Sequence, residues 1–139
     1  MEAMERASLI LTLIRELRAV LEREVLLLQG MNFEGLEELQ EEKAALADAY
    51  EVEVAALRRT PEFVAALDPA VREALLEAMR ELRRVMRQNL EALMAARTVT
   101  ERVARHIAAS LETSRHHLGS REPAEGAAQV VPLTLNRQV

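Results

Sequence analysis

Three histidines, a dense run of glutamates, one lysine among them and a single tyrosine are the residues of this chain that could do chemistry. A helical di-metal carboxylate site asks for Glu-x-x-His spacing. The residues three before His106, His116 and His117 are Val103, Thr113 and Ser114, so that pattern is missing. His116 and His117 are neighbours, point about 100° apart on a helix and cannot clasp one ion together. They read as solvated residues near a helix C-terminus, where positive charge is favoured. Glu34, Glu37, Glu38, Glu41 and Glu42 read as a solvated helix face. Neither a glycine-rich phosphate loop nor a nucleophile elbow is present. The expectation is a protein that is not an enzyme and uses no cofactor.

Lys43 and Tyr50 fall on apolar positions of a helical pattern. Such a lysine lays its stem along an interface and sends its amine to a nearby carboxylate. Tyr50 reads first as a packed core aromatic. What positions these residues is helix throughout. Of 139 residues half are hydrophobic, only 2% are aromatic, and Gly and Pro number four each. A chain rich in Ala, Leu, Glu and Arg with helical periodicity belongs to long helices or coiled coils. With no cysteine, disulfides and thiolate chemistry drop out. The net charge of −5 argues against nucleic acid. No stretch approaches the ~20 apolar residues of a membrane span, and Glu2 and Glu5 stand where an export signal would be basic.

The first apolar row reads Ile10, Leu13, Leu17, Val20, Glu24, Leu27 and Met31. It breaks across Gly30–Gly35 and resumes with Leu36, Leu39, Lys43, Leu46, Tyr50, Val54 and Leu57. With no proline between the glycines, this spacing predicts a kink or local unwinding in one long arm rather than a separate loop. Thr60-Pro61 and Asp68-Pro69 each set a capping oxygen before a proline suited to a first helical turn. A short helix over 61–67 and a second long helix from Asp68 to about Leu118 follow. The second helix carries Leu75, Met79, Leu82, Met86, Asn89, Leu93, Ala96, Thr100, Val103, Ile107, Ser110 and Ser114 in steps of four and three. Asn89 and Thr100 are polar members of that seam, a device that fixes register.

The expected fold is therefore all-α: a long, coiled-coil-like antiparallel helical hairpin over 1–118, with a short helix at the corner and a flexible C-terminal tail over 119–139. Antiparallel arms put Leu57 beside Val71, Leu46 opposite Leu82, Val20 opposite Ala108 and Ile10 near Leu118. The glutamates at 34–42 would face Arg80, Arg83, Arg84 and Arg87. A further row of Val71, Ala78 and Val85, with Leu76 and Leu90 beside it, is more than two helices need. A third element, a second subunit or a client must cover it, unless the 61–67 helix folds back.

The stretch "LEREVLLLQGMNFEGLEELQEEKAALADAY" resembles the signature of the FlgN family of flagellar export chaperones. The positions that carry it are Glu24, the break from Gly30 to Phe33, Leu36, Leu39 and Glu42-Lys43. Asn89-Leu90 in "RQNLEALMAAR" and the ending "VVPLTLNRQV" are similar to the family as well. The resemblance implies a cytoplasmic chaperone that holds hook-associated (hook–filament junction) proteins and delivers them to export-gate components. It also implies client contacts in the C-terminal part: by position, Val103, Ile107, Leu111 and Leu118, helped by the apolar knot of Val130, Val131, Leu133 and Leu135. The alternative is a structural coiled coil that self-assembles or scaffolds another complex, and a homo-oligomer fits either reading. An amphipathic membrane-surface protein would carry aromatics and a basic polar face, and this chain does not.

Overall fold

The computed structural model describes residues 2–118, with Leu118 known by its backbone. It is all helical: α1 (Ala3–Gln29), α2 (Leu36–Arg59), a short α3 (Pro61–Ala66) and α4 (Pro69–Leu118). The expected short helix sits at the corner between α2 and α4. The segments around it are organised differently from two continuous arms, because the chain reverses fully at Gly30–Gly35.

The reversal is a Schellman ending followed by a new helix start. The amide of Asn32 donates to the carbonyl of Leu27 and that of Met31 to Leu28, the paired bonds that close a helix through one left-handed residue. That residue is Met31, with φ 53°, and Gly35 follows with φ 75°. Asn32 Oδ1 accepts from the amide of Glu34 at 3.3 Å. Two left-handed residues within five positions turn the chain back on itself. The break expected to be a kink is thus a tight loop, and Met31, expected on the seam, is exposed.

With the reversal, α2 runs antiparallel to α1: Lys43 meets Glu24, and Glu53 meets Arg6. Helix α4 runs parallel to α1: Glu81 lies by Arg18, Asn89 by Leu21, and Leu93 and Ala96 by Leu28. Helix α1 packs on both of the others and holds them together. Its buried residues form two rows, Ile10, Leu13, Leu17, Val20 and Glu24, then Ala7, Ile14, Leu21 and Leu28, a stripe wide enough for two partners. The antiparallel relation of α2 and α4 survives from the sequence register, since Leu46 and Ala47 share a core with Leu82 and Val85. The relation of α1 to α4 does not: Val20 lies nowhere near the Ala108 level, because α1 points the other way. The reversed α1 is itself the third element that the surplus row required. It covers Val85, while Leu76 and Leu90 remain exposed.

The corner is held by short-range chemistry. Asp68 Oδ1 accepts from the amide of Ala70 at 3.0 Å and caps α4. Thr60 acts differently from expectation: its hydroxyl donates back to the carbonyl of Ala56 and does not cap α3. The Arg6 guanidinium binds Glu53 at 2.6 Å and lies 5.3 Å from the centre of the Phe63 ring, so one side chain ties α1 to α2 and α3. The expected pairing of the 34–42 glutamates with the α4 arginines is absent. Arg80 and Arg84 bind Glu77 and Glu81 one turn away on their own helix, and Glu34, Glu38 and Glu42 stand beside Arg23 and Leu27 of α1.

The two glycines of the reversal should respond differently to substitution. Gly35→Ala places a Cβ at a left-handed residue and should cost about 1 kcal/mol. Gly30 has φ −82° and an added Cβ meets only ordinary contacts, so Gly30→Ala should be neutral or slightly stabilising. Urea denaturation of the two variants checks this; equal losses would mean that the reversal is formed otherwise.

Candidate functional site

One buried polar residue from each of the three long helices meets the others at one place. Glu24 is fully buried, Lys43 is 1% exposed and Asn89 3%. Lys43 Nζ donates to Glu24 Oε1 at 2.9 Å, and Asn89 Nδ2 donates to the same oxygen at 2.7 Å and to the Leu21 carbonyl at 3.1 Å. One carboxylate oxygen therefore joins α1, α2 and α4; among the described residues Glu24 Oε2 has no hydrogen-bond partner. Lys43 is the chain's only lysine. A compact ammonium on a long stem suits a point contact deep in a bundle better than a planar guanidinium. Lys43 and Asn89, singled out in the sequence as polar seam members, find their partners across helices, and Glu24 is what brings them together; Thr100, expected to act like Asn89, instead donates its hydroxyl to the Ala96 carbonyl of its own helix.

Above this cluster the bundle ends. Helix α1 stops at Gln29 and α2 begins at Leu36, while α4 runs on past Ala96 to Leu118. That excess is about 33 Å at 1.5 Å per residue. Val25, Leu28 and Met31 from α1 and its reversal, with Ala92, Ala96 and Val99 from α4, line a cleft of about 600 Å³ at the bundle end. The core-facing stripe of α4 does not stop there. Thr100, Ala104, Ile107 and Leu111 continue it, half-buried, and Val103 beside them is 48% exposed. Among the described residues no second helix accompanies this extension. The expected site residues Val103, Ile107 and Leu111 thus share one projecting helix face. Leu118 ends the helix, and Val130, Val131, Leu133 and Leu135 lie outside the described residues.

Sequence reasoning missed the cleft and the exposed apolar residues around the bundle end: Leu26, Met31, Phe33, Met94 and Val99 are all substantially exposed, beside Leu90, which the sequence marks as surplus. The signal was present in α1, whose second row of Ala7, Ile14, Leu21 and Leu28 repeats every seven residues and demands a second partner. His106, His116 and His117 stand exposed on the extension. Among the described residues no three metal-binding side chains converge, and no helix is long and apolar enough to cross a membrane. Comparison with protein-family models, curated proteins and solved structures yields no significant match to this chain.

A second cleft, of about 440 Å³, lies between α2 and α4 and is lined by Tyr50, Val54, Met79 and Arg83 among others. Burial pushes the Tyr50 phenol above its ordinary value, with Arg83 and Arg58 pulling the other way.

Two measurements follow. Lys43→Met strands a buried carboxylate and should destabilise by roughly 3–5 kcal/mol, whereas Glu24→Leu with Lys43→Met removes both charges and should recover most of that loss. Chemical denaturation of both variants checks it, and a double variant as unstable as the single one would contradict it. Tyr50 is the only tyrosine and the chain has no tryptophan, so ultraviolet titration reports one phenol. Its midpoint in the folded protein should exceed the value of about 10 seen in denaturant. A raised folded value means that the phenol's contribution to stability is intact below the unfolded pKa and is lost as pH climbs through the folded one. Identical midpoints would place Tyr50 in water.

Proposed function

We propose that this chain is a cytoplasmic export chaperone of the flagellar type III system, which holds hook–filament junction proteins and hands them to the export gate. The observation that carries the reading is the α4 extension: an apolar stripe, continuous with the bundle core, left uncovered among the described residues over about three turns. A partly folded client that offers an amphipathic helix would complete it, as helices complete grooves elsewhere. The resemblance to the FlgN family supports the same reading, and three of the residues that carry it, Glu24, Lys43 and Asn89, form the cluster that aims the extension away from the bundle. Binding of this kind requires no nucleotide or metal.

A structural coiled coil that binds only itself is the competing reading, and the same uncovered stripe favours it. Co-purification of the full chain from a flagellated host, with partners identified by mass spectrometry, separates the two. Ile107→Asp with Leu111→Asp should leave the bundle folded by circular dichroism, since both residues lie beyond the last α1 contact. The same variant should weaken binding of a junction protein by roughly tenfold or more, as loss of central apolar anchors does. Undiminished client binding would remove the site assignment, and an intact protein that retains no export substrate would remove the chaperone reading.

A further inference from the structure

We propose that the α4 extension also pairs with its own counterpart in a second copy of the chain, antiparallel and two-fold symmetric about the level of Ala108. The case rests on the charge pattern beside the uncovered stripe. Projected on the helix, Arg97, Glu101, Arg105, Glu112 and Arg115 lie along one flank of the stripe formed by Thr100, Ala104, Ile107 and Leu111. The other flank holds Val99, Arg102, Val103, His106, Ser110, Thr113 and His117, with no carboxylate.

Antiparallel helices related by a two-fold axis bring like flanks together. About an axis at the level of Ala108, Glu101 lies opposite Arg115 of the second copy, and Arg105 lies within one residue of its Glu112. Symmetry repeats both contacts, so four opposite-charge pairs arise from one sequence. The stripe agrees with the same axis: Ala104 faces Leu111, a small residue against a large one, and Ile107 packs beside its own counterpart. A parallel pair would set the charged flank against the flank without carboxylates, where Arg105 and Arg115 find only histidine, arginine and neutral residues. Among the described residues, Arg105, Glu112 and Arg115 make no ion pair within the chain, and Glu101 binds only Arg97, at 3.0 Å. This pairing also brings the far end of the second α4 to the level of Val99, at the mouth of the 600 Å³ cleft. The second copy would thereby extend an interface that the bundle end has already begun. The inference does not depend on the export reading, because it invokes no client.

Sedimentation equilibrium of the full chain over a concentration series tests it. The wild type should show a monomer–dimer equilibrium. Arg105→Glu and Glu112→Arg, each present twice per dimer, should each weaken dimerisation about tenfold, through loss of two exposed pairs and gain of two repulsions. The double variant Arg105→Glu with Glu112→Arg should return to within about threefold of wild type. Both positions are exposed on the extension, so circular dichroism should be unchanged in all three variants. A chain that stays monomeric at every attainable concentration overturns the proposal. So does self-association that the single variants leave untouched or the double variant fails to restore.

Discussion

Lys43, Glu24 and Asn89 meet where water does not reach, and the relative placement of the three long helices depends on that meeting. An ammonium and a carboxylate each cost several kcal/mol to bury, and their mutual attraction barely offsets this even in good geometry. The cluster therefore adds little to stability compared with three well-fitted apolar side chains. Its effect is on the alternatives. Slide α2 by one turn along α1 and the only lysine of the chain faces leucines while Glu24 loses its cation. Slide α4 and the Asn89 amide leaves both Glu24 and the Leu21 carbonyl. Every such slip leaves a buried charge or polar group unmatched, whereas an all-leucine seam would tolerate several registers. The surface ion pairs cannot do this, since most join residues one turn apart on the same helix.

With the register set, the unequal lengths of the helices have a consequence. Helix α1 has 27 residues, α2 has 24 and α4 has 50. The parallel alignment of α1 with α4 places the end of α1 beside Ala96, and everything after that is surplus. Twenty-odd residues would be a marginal helix in isolation, because the first turn is costly to nucleate. Here the nucleus is the bundle, and the extension only propagates it. An amphipathic surface is thus held out in a fixed direction without being part of the core. Its charge differs from that of the whole: four arginines and two glutamates lie between Arg97 and Leu118, in a chain with net charge −5. A lever of opposite charge, apolar along one side, suits pairing with another amphipathic helix, whether that of a client or of a second copy.

Much of this was legible in the amino-acid order. Leucine and methionine steps of three and four, together with Asp68-Pro69, are local signals, and they located α4 and its cap because helix formation and capping are decided within a few residues. Lys43 and Asn89 were recognisable as buried polar seam members for the same reason: a polar residue in an apolar row has nowhere else to point. What the linear pattern left undecided was the direction of the chain after Gln29. A kink and a reversal share the same glycines, and the difference lies in Met31 adopting a left-handed conformation that its residue type does not announce. Only packing selects it, because only a full reversal covers both rows of α1 and the surplus row of α4 at once. The identity of Glu24 as the shared acceptor likewise required three dimensions, since its partners are 19 and 65 residues away. Helix content, the corner and the polar seam positions were therefore set by neighbours in sequence, while the pairing of α1, the carboxylate at the centre and the emergence of the α4 extension were decided by burial, which acts between residues far apart in the chain.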